Sequence, residues 1–94
     1  MKKEMKRNKA YLKKLRKQVD ETDNKIIELL KKRFEISKKI GKYKKQNNLS
    51  IKNKKREKHL LEKNKNKAKR HNLKPKFVKK LFKLILKESK KIQE

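Results

Sequence analysis

At 94 residues, with 31% hydrophobic and 49% charged, the chain makes one domain (residues 1–94) whose core is marginal unless a second copy shares it. No cysteine means no disulfide and no thiolate metal site, and no apolar run approaches transmembrane length. The net charge of +26 points to a polyanionic partner, non-specific nucleic acid included, but 31 Lys against 5 Arg, spread evenly without aromatic interleaving, read more simply as a solvated lysine face.

Residues 1–8 form a basic segment expected to fray. The stretch Met1 to Lys14 lacks the apolar core of a secretory signal, so a cytoplasmic protein with no membrane contact is expected. A long first helix is predicted from about Lys9 to about Lys45. Its apolar or near-apolar positions, Leu12, Leu15, Val19, Thr22, Ile26, Leu29, Ile36, Ile40 and Tyr43, follow the three-and-four spacing of an amphipathic seam. Arg33 interrupts that seam where a Leu or Ile belongs. A guanidinium there is costly unless an anion pairs with it, from the protein or from a ligand.

Helix geometry limits what Arg33 can share. Lys44 lies three turns on, roughly 16 Å along the same face, so the two side chains can clasp one small molecule. Arg16 lies roughly 25 Å in the other direction on the same rod. It can serve the same kind of site only if a second chain delivers it.

The polar run Gln46-Asn47-Asn48-Leu49-Ser50 ends the first helix, and Asn53 is a credible N-cap for a second, from about Lys54 to Arg70. Its apolar content is thin, and it is expected to lie against the long helix. His71-Asn72-Leu73-Lys74-Pro75 is the next break, with Asn72 suited to a left-handed position and Pro75 to a first helical turn. A third helix to about Ile92 carries the richest apolar surface: Phe77, Val78, Leu81, Phe82, Leu84, Ile85, Leu86 and Ile92. Ser89 and Gln93 follow Ile85 at four-residue steps and project from the same stripe. An all-α, three-helix chain follows.

No phosphate loop, metal-ligand pattern or Ser/His/Asp arrangement can be assembled, and His59 and His71 read as surface residues. What remains is a set of donors and cations with one acid: Arg16, Arg33, Lys44, Asn53, Arg56, Glu57, Ser89 and Gln93. Such a set suits a compact dianion, and catalysis by positioning and electrostatics without a nucleophile.

The segments Leu15-Arg16-Lys17-Gln18-Val19-Asp20-Glu21-Thr22-Asp23, Leu29-Leu30-Lys31-Lys32-Arg33 and Gly41-Lys42-Tyr43-Lys44, then Arg56-Glu57 and Leu81-Phe82 through Ser89 to Gln93, occur in the order and spacing of one family. On these residues the chain resembles the all-helical chorismate mutases of the shikimate pathway, over about residues 12–93. The resemblance implies an intertwined homodimer whose long helices pair antiparallel. It implies that Arg16 of the partner and Arg33 grip the two carboxylates of chorismate, and that Lys44 and Gln93 bond the ether oxygen of the breaking bond. Glu57 would accept from the ring hydroxyl, Arg56 and Ser89 would support the carboxylates, and Ile40 and Leu86 would be apolar walls. The implied reaction, chorismate to prephenate in phenylalanine and tyrosine biosynthesis, needs no cofactor and no metal. Asn53 departs from the family, which often has Asp near the substrate hydroxyl. Besides a purely structural helical dimer, which would tolerate Arg33→Leu, two rivals stand beside this reading. One is an isochorismate-pyruvate lyase on the same fold. The other is a basic helical protein that binds nucleic acid, which accounts for the charge but not for Arg33, Ser89 and Gln93 on apolar faces.

Overall fold

Two asparagines determine where the helices stop. In the computed structural model, which describes the backbone of residues 2–94 and the side chains from residue 8 onward, the chain forms α1 (Lys2–Gln46), α2 (Lys54–Arg70) and α3 (Pro75–Gln93). Asn48 and Asn72 have φ of 54° and 57°, the left-handed conformation that a short polar side chain tolerates better than most. Each is followed by a leucine that closes the helix. Leu49 N–H donates to Lys44 O at 2.8 Å, and Leu73 N–H to Ala68 O at 2.9 Å, with Asn72 N–H to Lys69 O at 3.2 Å. These are Schellman endings, and they satisfy carbonyls that the last turn would otherwise leave bare.

At the other ends, the Asn53 side chain accepts from Arg56 N–H at 3.0 Å and caps α2, while Pro75 opens α3 with no N–H to orphan. The boundaries of α2 and α3 fall where the sequence puts them. That of α1 does not: helical backbone begins at Lys2 rather than near Lys9. Met1 and the side chains of residues 1–7, most of the segment expected to fray, lie outside the described residues.

The chain divides into two units, Met1–Arg33 and Phe34–Glu94. The first is the N-terminal part of α1. Its seam residues Leu12, Leu15, Val19, Ile26 and Leu29 are all exposed; Leu30 and Arg33 are half-buried. The second unit contains the remainder of α1 with α2 and α3. Here α2 packs on α3, which offers the larger apolar surface. Ala68, Val78 and Ile85 form the buried apolar core of the described residues. None of the large side chains described is fully buried. Phe77, Leu81 and Leu84 make a second apolar stripe on α3 that faces solvent, as do Ile36, Ile40 and Tyr43 on α1. Two small polar residues are buried instead, Ser37 on α1 at 5% exposure and Ser89 on α3 at 3%. Among the described residues no helix is long and apolar enough to cross a membrane.

Candidate active site

Within the unit Phe34–Glu94, three contacts gather the polar residues. The first joins α1 to the loop that follows it. Lys44 is half-buried, and its ammonium donates to Ile51 O at 3.1 Å while its own carbonyl takes the closing bond from Leu49. The loop is braced internally by Ser50 Oγ donating to Lys52 O at 3.1 Å, and it runs directly into the Asn53 cap. An ammonium has three donors, so two remain for another acceptor.

The second contact joins α2 to α3. Glu57, in the first turn of α2 and half-buried, pairs with Lys90 Nζ at 3.0 Å. Lys90 directly follows the buried Ser89 in the sequence. The third contact joins α1 to α3 at Gly41. A Cβ added there would stand 2.7 Å from Gln93 Cα and 2.8 Å from Gln93 O. The two helices therefore meet at backbone distance where Gln93 leaves α3. Beside this crossing, Lys45 Nζ donates to Glu94 O.

Gln93 is half-buried, and its Oε1 is fully buried without a hydrogen-bond partner. Leaving a buried amide oxygen unsatisfied costs about 1–3 kcal/mol, and such groups stand out where a ligand completes the bonding. Leu86 is half-buried one turn before Ser89 and Lys90 on α3. Ile40 and Arg56 are exposed, as is Asn53, whose carbonyl is already committed to the cap.

Lys44, Glu57, Ser89, Gln93 and Leu86, with Asn53, Arg56 and Ile40 at the surface, thus belong to one unit. Arg16 and Arg33 belong to the other. Arg16 is exposed and lines a shallow groove with Ala10, Lys13, Lys14, Lys17 and Asp20; Arg33 is half-buried at the end of its unit. Seventeen residues apart on one helix, the two guanidinium-bearing positions are separated by roughly 25 Å.

Three participants carry no signal that reading the sequence picked out. Lys90 is one of 31 lysines, and only its position one residue after Ser89 distinguishes it. Ile51 contributes a backbone carbonyl, which side-chain identity does not encode. Ser37 could have been found by its spacing, since it stands four residues before Gly41 on the same helical face.

With the geometry in hand, comparison with known proteins is decisive. The profile of the family described as Chorismate mutase type II matches residues 15–94. The chain belongs to the chorismate mutase type II family. Among its relatives, a chorismate mutase of Methanocaldococcus jannaschii is 30% identical over 80 residues, covering 85% of this chain and 81% of that protein. A bifunctional chorismate mutase/prephenate dehydratase of Buchnera aphidicola (subsp. Schizaphis graminum) is 39% identical over 74 residues. The match covers 79% of this chain but only 19% of the bifunctional protein. Among solved structures, a conserved hypothetical protein from Pyrococcus furiosus superposes with a TM-score of 0.70 at 43% identity, over 88% of this chain and 95% of that one. The three-helix order described above is therefore the chorismate mutase type II fold.

Proposed function

We propose that the chain is a chorismate mutase that works as a homodimer, isomerising chorismate to prephenate by holding it folded and by stabilising charge on its ether oxygen. The observation that carries this reading is the family match over residues 15–94, which spans every polar residue gathered at the site. The name of the Methanocaldococcus relative favours a mutase over an isochorismate-pyruvate lyase.

In this reading the arginines hold the carboxylates, Arg33 from the chain's own helix and Arg16 from its partner's. The separation of roughly 25 Å along one rod supports the assignment, because one small dianion cannot span both positions of a single chain. The exposed stripe Leu12, Leu15, Val19, Ile26, Leu29 supports a second copy, since a surface that apolar is poorly left to water. As the C–O bond stretches and the new C–C bond forms within the same molecule, negative charge grows on the ether oxygen. Lys44, fixed by Ile51 O and retaining two donors, meets that charge together with the Gln93 amide. The interaction strengthens as the charge develops, which lowers the barrier instead of only tightening binding. Glu57 accepts from the ring hydroxyl while paired with Lys90, Arg56 and Ser89 flank the carboxylates, and Ile40 and Leu86 wall the ring. Asn53 fixes the loop end through its cap and adds no charge. No proton is transferred and no covalent intermediate forms, so no general base is required. A cytoplasmic setting belongs to the same reading.

The test is the ultraviolet absorbance of chorismate followed with wild type, Lys44→Ala and Arg33→Ala. Wild type should convert chorismate to prephenate, and both variants should lose at least about a hundredfold in kcat/KM while remaining helical. Decay at the uncatalysed rate with a folded dimer would refute the reading, and isochorismate in the same assay would then test the lyase.

A further inference from the structure

The chain has one glycine, and it lies inside a helix where the residue type is unfavourable. Its φ is not positive, so no turn or left-handed conformation calls for it. What the site demands is room. A Cβ on residue 41 would fall 2.7 Å from Gln93 Cα, 2.8 Å from Gln93 O and 3.0 Å from Gln93 Cβ. The first two are backbone atoms at the end of α3, and they cannot yield without moving the helix end. The face that makes this approach also carries Ser37, buried one turn earlier, and Lys44, three residues later. Gly41 therefore stands between the two groups assigned to the ether oxygen, on the helix of one and against the backbone of the other.

We infer that Gly41 is a positioning residue that sets the distance between the Lys44 ammonium and the Gln93 amide; this rests on the mutase reading of those two groups. Lys44 is anchored by Ile51 O, in the loop after α1 and not on α3, so it does not follow a displaced α3. Any wedge at 41 opens the gap on the Gln93 side. A shift of about 1 Å in such a pair is enough to cost roughly a hundredfold in rate. The carboxylate grip by the arginines is untouched, so the loss falls on the chemical step and not on binding.

The experiment measures kcat and KM for chorismate in wild type, Gly41→Ala, Gln93→Ala and the double variant. Propensity alone predicts that Gly41→Ala stabilises the helix. We expect its kcat to fall roughly ten- to a hundredfold with KM changed less than about threefold. In the Gln93→Ala background, where no amide is left to misplace, the same change should cost less than about threefold more. A kcat for Gly41→Ala within about twofold of wild type, or losses that multiply in full in the double variant, would overturn the inference. If Gly41→Ala loses its helical far-ultraviolet signal, Gln93→Asn supplies the second probe by withdrawing the amide one methylene. A large kcat loss there shows that the spacing is critical, and unchanged kcat shows a slack site in which no residue sets it. A wild type inactive on chorismate overturns the functional reading and this inference together, whereas an active wild type with an unimpaired Gly41→Ala overturns the inference alone.

Discussion

Leu29→Ala should weaken assembly more than any property of the single chain. Leu29 is 65% exposed, on the stripe that the proposed partner covers. Full burial of a leucine is worth about 1.5–3 kcal/mol, so about 1–2 kcal/mol is still available at this position in each chain. A twofold dimer contains two copies, and truncation removes about 2–4 kcal/mol from its association. At about 1.4 kcal/mol per decade, the dimer Kd should rise roughly thirty- to several-hundredfold. Sedimentation equilibrium over a range of loading concentrations reads this directly. Turnover per chain should fall on dilution in step with the dimer fraction, because in the proposed dimer Arg16 reaches the site only from the partner. Lys31→Ala, on an exposed neighbouring position, is the control. A wild type that is monomeric and fully active at every concentration, or a Leu29→Ala dimer of unchanged Kd, would refute the reasoning.

Three further outcomes are expected. Asn53→Ala removes the acceptor for Arg56 N–H and should cost about 1 kcal/mol, lowering Tm by about 4–8 °C in a thermal melt. Asn53→Asp keeps an acceptor at the helix N-terminus and should hold Tm near wild type. Gln93→Glu should confine activity to acidic pH, since only a protonated carboxyl donates to the ether oxygen and its ionised form repels the developing charge. Wild type, with an amide that does not titrate, should stay active at neutral pH, and a wild-type rate that collapsed above pH 6 would contradict the role of Gln93. Finally, kcat/KM should fall as ionic strength rises, because a net charge of +26 draws a dianion inward through a field that salt screens. A salt-independent kcat/KM would assign the lysines no part in capture.

The stops were the most legible part of the fold. Asn72 before Leu73 and Pro75, and Asn53 before a charged first turn, each name their geometry through side-chain chemistry, and α2 and α3 begin and end where those residues say. The start of α1 was not legible, because residues 2–7 are Lys, Glu, Met and Arg, which suit a helix and a solvated tail equally well. Ser89 and Gln93 could be found because polar groups on an apolar stripe break a pattern. Which face of α1 meets α3 was obscured by the stronger signal beside it. The leucine and isoleucine stripe dominates the periodicity, yet near residue 40 the helix turns its small face, Ser37 and Gly41, toward the rest of its unit and leaves Ile36 and Ile40 exposed. The Glu57–Lys90 pair was hidden for the opposite reason: in a chain this rich in lysine, one more cation breaks no pattern.

The bond from Lys44 to Ile51 O has a thermodynamic consequence. A free lysine side chain surrenders up to about 2 kcal/mol of rotamer entropy when it is immobilised. Held by the loop carbonyl before any substrate arrives, Lys44 has already lost much of that freedom during folding, so little of it is charged to each catalytic cycle. In the proposed mechanism, the short loop between α1 and α2 thereby contributes without touching the reacting atoms. In that mechanism, lengthening it by a residue or two should slow turnover by freeing a cation that must then be ordered anew each time.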